Sequence, residues 1–194
     1  MKTLRWSLVA ALGLMLGSIL PAQSVDAFVG FNTLVTKTYS NGFPKLGGGL
    51  YPSFGGDLIF FHGFGIGAQV AFRAAQANYF GNTVRPILYD FNIVWEPVPS
   101  GARIRPDLAL GIGADSLRVY QGFFNCGTFT GCTNYASTNH FILHAALGVK
   151  VYVTDHIFLR PAVDYYNIRH DNEYLVPSAW QVGIALGYTL GPSQ

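Results

Sequence analysis

From about residue 26 to residue 190, large apolar side chains return at every second position, and this period constrains the fold more than any other feature. The last segment, SAWQVGIALGYTL, is the clearest case. Trp180, Val182, Ile184, Leu186 and Tyr188 alternate with Ala179, Gln181, Gly183, Ala185 and Gly187. A strand turns successive side chains to opposite faces, so the segment has one large apolar face and one small face. The same reading predicts eight strands, at 26–36, 47–61, 64–79, 84–96, 103–118, 139–153, 157–168 and 178–190. Tight turns (FFHGFG, EPVPSGAR, VTDHI) alternate with longer connections (TKTYSNGFPKL, YQGFFNCGTFTGCTNYAST, IRHDNEYLVPS), the FGNTV connection being short. That is the connectivity of an all-β, eight-stranded antiparallel up-and-down barrel. Pro86, Pro106 and Pro161 fall near strand ends, while Pro52 suggests that the second strand begins after it.

The residue types say which face meets which solvent. Ile104, Leu108, Leu110 and Ile112 oppose Arg105, Asp107, Ala109, Gly111, Gly113 and Asp115. Phe141, Leu143, Leu147, Val149 and Val151 oppose His140, His144, Gly148 and Lys150. A wet outer face would be rich in Lys, Glu, Ser and Thr. Here the polar face is mostly Gly and Ala with sparse charges of both signs, which suits a narrow lumen. The other face carries no charge through the middle of the strands, where Arg or Lys in lipid would cost about 2–4 kcal/mol. Only 11% of the residues are charged, against roughly 25% in soluble domains. The expectation is a transmembrane barrel, not a soluble one.

The N-terminus reads as an export leader. Lys2 and Arg5 precede an apolar run from Ser7 to Leu20, too short to span a bilayer, and Ala22, Ser24 and Ala27 are small residues suited to a cut. We therefore expect a signal peptide over 1–24, cut somewhere in 22–27, and a barrel over 25–194. Lys2 and Arg5 also account for the whole net charge of +2, so the mature chain is near neutral and no nucleic-acid partner is expected. Cys126 and Cys132, in a Gly-rich polar stretch of an exported chain, predict a disulfide.

The tail pattern of Gln181, Gly183, Leu186 and Tyr188 resembles the C-terminal assembly signal of outer-membrane barrels, with six residues, TLGPSQ, following Tyr188. HIFLRPAVDYYNIRHDNEY resembles a segment of the "outer membrane protein beta-barrel domain" group. Along its mature length the chain resembles the small eight-stranded bacterial outer-membrane β-barrels, OmpA-like in shape. The resemblance implies residence in the outer-membrane bilayer, both termini on the periplasmic side, and recognition by the outer-membrane insertion machinery. It does not imply an activity.

The candidate site is the lumen, lined by Asp57, Arg73, Asp90, Glu96, Arg105, Asp107, Asp115, Lys150, Arg160 and Asp164. An eight-stranded bore is about wide enough for side chains to fill, so these charges are read as a structural network that mostly plugs it. A selective conduction path for small solutes or ions is the alternative. Arg105, Asp107, Arg160 and Asp164 place the densest part near the turn side. His140 and His144 are four apart on a strand, roughly 13 Å, too far to share a metal, and no metal or cofactor is expected. Catalysis is not expected either: Ser116 and Ser137 lie near Asp115 and His140, but in no nucleophile motif, which leaves an outer-membrane hydrolase a remote reading. Trp95 and Tyr188 on the turn side, with Tyr165 and Trp180 on the loop side, would form two interfacial belts. The loops at 37–46, 80–84, 119–138 and 169–177 would face outward from the cell and carry a surface role.

Overall fold

A computed structural model describes residues 24–36, 47–79, 82–99, 101–127, 131–169 and 177–191. Among them lie nine strands: β1 (Ser24–Thr36), β2 (Tyr51–Phe61), β3 (Phe64–Phe72), β4 (Ala77–Tyr79), β5 (Asn82–Trp95), β6 (Ile104–Gly127), β7 (Gly131–Tyr152), β8 (Ile157–Ile168) and β9 (Ser178–Leu190). Each pairs antiparallel with its neighbours, and β1 pairs with β9 from Val25–Leu190 to Thr36–Ala179, which closes the sheet. Strands β3 and β4 both pair with β5 and make one interrupted stave, so the fold is a closed eight-stranded barrel. Closure leaves no open edge inside hydrocarbon, where an unpaired backbone group would have no water to bond.

The expected third strand, 64–79, is thus broken at 73–76. The Arg73 amide still donates to the Pro86 carbonyl (3.2 Å), but the Ala74 amide turns to the Leu50 carbonyl (2.9 Å), and the chain leaves the ladder. The second strand starts at Tyr51, not after Pro52, and Pro52 sits in register with Phe31. Strands β8 and β9 keep their expected bounds. The turn between β2 and β3 is the two-residue kind. His62 and Gly63 both have positive φ, 47° and 81°, as a hairpin turn matched to strand twist requires.

The largest departure is the β6–β7 hairpin. The expected loop 119–138 is strand on both sides of 128–130, and the hairpin runs on past the end of β5 at Asn82. Residues 136–139 are exposed on consecutive positions, so both faces of this ribbon are open. The expected loop at 80–84 shortens for a similar reason, since β5 begins at Asn82. Loop 37–46, the central part of loop 169–177 and most of the expected leader lie outside the described residues. Strand β1 begins at Ser24, the last residue of that leader.

The wall has two faces with opposite chemistry. Phe91, Ile93 and Leu110 are about two-thirds exposed, and similar side chains ring the outside on every stave. A contiguous apolar band of this extent is unfavourable in water and suited to lipid.

Candidate functional site

The inward face holds the site, and it has two halves. On the turn side, Lys150 of β7 is fully buried and surrounded by three carboxylates. Its Nζ lies 2.5 Å from Asp26 Oδ2 of β1, 2.5 Å from Glu96 Oε1 beyond β5, and 3.1 Å from Asp57 Oδ2 of β2. The Phe158 ring is 5.4 Å away. Beside it, Arg160 of β8 donates from Nε (2.9 Å) and Nη2 (2.5 Å) to Asp107 Oδ2 of β6, with its guanidinium 4.9 Å from the Phe28 ring. Arg105 caps the turn end. It donates to the Ala102 carbonyl (3.0 Å) and to the Tyr152 hydroxyl (3.3 Å), which in turn bonds Thr189 Oγ1 (2.9 Å). These contacts join staves far apart in sequence around the whole bore. Charges removed from water need this kind of pairing, because a buried ion that loses its partner is strongly destabilising.

In the middle, His144 bridges two aspartates. Its Nε2 is 3.1 Å from Asp164 Oδ1, its Nδ1 is 2.7 Å from Asn92 Oδ1 and 3.4 Å from Asp90 Oδ1, and its ring stacks on Tyr166 at 4.7 Å. Asn92 also donates to Asp90 (2.5 Å).

On the loop side the lumen turns apolar. Leu34, Tyr51, Val84, Leu88, Leu117, Ile142, Tyr166, Ile168 and Ala179 form one buried cluster drawn from most of the staves. Asp115 and Gln181 are buried at this level as well.

Each expected lumen residue faces inward, but with different partners. Asp57, Glu96 and Lys150 meet; Arg160 pairs with Asp107, and Asp164 with His144. Asp90 joins the histidine, Arg105 joins Tyr152, Asp115 is buried nearer the loops, and Arg73 lies partly exposed at the stave break. Sequence reasoning missed Asp26, because it falls in the window for leader cleavage. It also missed the apolar cluster, whose signal was consecutive large residues such as Phe141, Ile142 and Leu143, where both faces are large.

The remaining residues fall into place by register. Cys126 and Cys132 are bonded across the β6–β7 ribbon. Gln181 and Gly183 face the lumen, and a Cβ on Gly183 would collide with the Asn32 side chain. Leu186 and Tyr188 face outward. Trp95 stacks on Phe64 (5.6 Å), Tyr188 on His156 (5.5 Å), and Tyr165 packs against Trp180 (4.8 Å). Strand alternation puts Ser116 and Ser137 on the outer face, while Asp115 and His140 face inward in register with each other. The serines and the groups that would activate them lie on opposite sides of one sheet. Among the described residues, no three His, Cys, Asp or Glu side chains are grouped to hold a metal.

No family model matches the chain, and no curated protein matches it significantly. Solved structures do. The chain is similar to OprG of Pseudomonas aeruginosa (13% identity, TM-score 0.59, 88% of this chain and 97% of that one). It is similar to the N-terminal β-barrel domain of OprF from Pseudomonas aeruginosa (11%, 0.57, 87% and 98%). Neisserial surface protein A matches in the same way (11%, 0.57, 87% and 96%). The fold is that of the small bacterial outer-membrane β-barrels.

Proposed function

We propose that this chain is an integral outer-membrane protein whose lumen is closed, and which works through the surface it displays and not through turnover or transport. The observation that carries this reading is the filled bore: ion pairs on the turn side, aliphatic side chains on the loop side. The displayed element is the β6–β7 ribbon with its exposed disulfide. The apolar exterior supports the bilayer as its solvent. Residues 1–24 act as an export leader cut ahead of Asp26, since a cut after Ala27 would remove Asp26, a partner of Lys150. Gln181, Gly183, Leu186 and Tyr188 then serve the insertion machinery from the strand that closes the barrel.

Topology is the direct test. An epitope inserted at residues 128–130 should bind antibody on intact cells. The same epitope at Val98–Pro99, in a turn on the opposite end, should bind only after the outer membrane is permeabilised. The reverse pattern, or no membrane fractionation at all, contradicts the reading.

A further inference from the structure

The outer face carries one feature that a lipid-facing wall does not need. Arg85 of β5 and Arg118 of β6 sit directly opposite each other in the ladder, and alternation turns both outward. Like charges in direct register repel. Neither has a carboxylate partner among the described residues. Among the described residues Arg85 bonds only the Ala74 carbonyl, at 3.3 Å, and its buried Nε has no hydrogen-bond partner there. Instead two tyrosines frame the pair. The Arg118 guanidinium lies 4.8 Å from the Tyr135 ring and that of Arg85 6.0 Å from the Tyr120 ring, the two rings being 5.9 Å apart.

Below the pair, on the same face, the ladder sets small side chains between larger ones. The small residues are Ser116 and Ala114 of β6. Register places Ile87 and Tyr89 of β5 on one side and Asn139 and Phe141 of β7 on the other. Further along the same outer face lies an apolar depression of about 670 Å³ bordered by Ile66, Ala68, Phe91, Ile93, Leu110 and Ile112. From Arg85 to Phe91 is about 20 Å along the strand, the scale of an acyl chain.

We propose that Arg85 and Arg118 form a site for the phosphate of an anionic membrane lipid, with one acyl chain lying over Ala114. Two forked guanidiniums suit a phosphate, which would relieve their mutual repulsion. The apolar outer wall beneath, with its depression beside Phe91, selects a lipid over a free anion. This site rests on the membrane-barrel reading above, since it needs the wall to face lipid.

The test uses the full mature chain refolded in detergent, with heat-modifiability on a gel confirming the barrel. Native mass spectrometry then compares retention of dimyristoyl phosphatidic acid with dimyristoyl phosphatidylcholine. The wild type should favour phosphatidic acid by about tenfold, and millimolar inorganic phosphate should not displace it. The double variant Arg85→Gln/Arg118→Gln should lose the preference, and Ala114→Phe should weaken retention with both arginines intact. Arg169→Gln, an exposed arginine just past the end of β8, should change nothing. Equal retention of the two lipids by a folded barrel overturns the site alone. Displacement by phosphate reassigns it to a free anion and overturns the lipid. An equal loss in Arg169→Gln reduces it to net charge. A chain that forms no heat-modifiable barrel overturns the membrane reading itself.

Discussion

The two halves of the lumen solve one problem with different chemistry. The turn side is filled by Lys150 among Asp26, Asp57 and Glu96, and by Arg160 on Asp107. The loop side is filled by Leu34, Val84, Leu88, Leu117, Ile142 and Ile168. The first half has little room to relax, because an uncompensated charge cannot be rehydrated inside a closed wall. The second is ordinary close packing, and its members are replaceable by side chains of similar volume. A narrow bore is therefore specified by charge pairing at one end and by volume at the other.

Breaking the charged half should have the largest effect. Lys150→Ala leaves three carboxylates around an empty position, and we expect a loss of about 3–5 kcal/mol, the scale of a broken buried ion pair. Urea unfolding of the barrel in lipid vesicles would measure it. A loss within 0.5 kcal/mol, about that of a surface change, would contradict the role given to this lysine.

Leu117→Ala attacks the other half and should cost about 2–4 kcal/mol through lost contacts and a cavity. The distinguishing result is rescue. Leu117→Met should restore most of the stability, to within about 1.5 kcal/mol of wild type, whereas Lys150→Met should restore little of its loss while the three carboxylates remain. The double variant Lys150→Ala/Leu117→Ala should be additive to about 0.5 kcal/mol, because the two sites are about 40 Å apart along β6 and β7. Strong coupling in that cycle would mean that the lumen packs as one unit.

The smallest effect belongs to the ribbon outside both halves. Replacing Cys126 and Cys132 with Ser should change barrel stability by less than about 1 kcal/mol, as surface substitutions do. Protease cleavage within 119–138 should nevertheless become faster. Barrel unfolding and hairpin cleavage shifting together would show that the ribbon is part of the cooperative unit.

These halves were not equally legible. The charged half could be read because an ionisable residue on the small face of an alternating strand stands out, as Asp57, Lys150 and Arg160 do. The apolar half could not, because alternation carries information only while the two faces differ. At Phe141, Ile142 and Leu143 both faces are large, and the pattern alone does not say that Ile142 points inward. The ribbon was hidden for a related reason. Residues 132–139 are polar or small apart from Tyr135, and 136–139 are exposed on both faces, so strand and loop share one composition there. Stave β3–β4 read as continuous because Arg73, Ala74 and Ala75 interrupt pairing without a Gly or Pro to mark the break. Partner choice within the lumen was out of reach as well. That Arg160 meets Asp107 and not Asp164 depends on the stagger of staves, which no single strand encodes.

Whether the lumen is closed is read most simply from conductance of the refolded mature chain in a planar bilayer. A closed lumen requires a folded, heat-modifiable barrel that inserts and stays silent at moderate voltage. Discrete, reproducible current steps from the wild type would contradict it and return the lumen charges to the role of a conduction path.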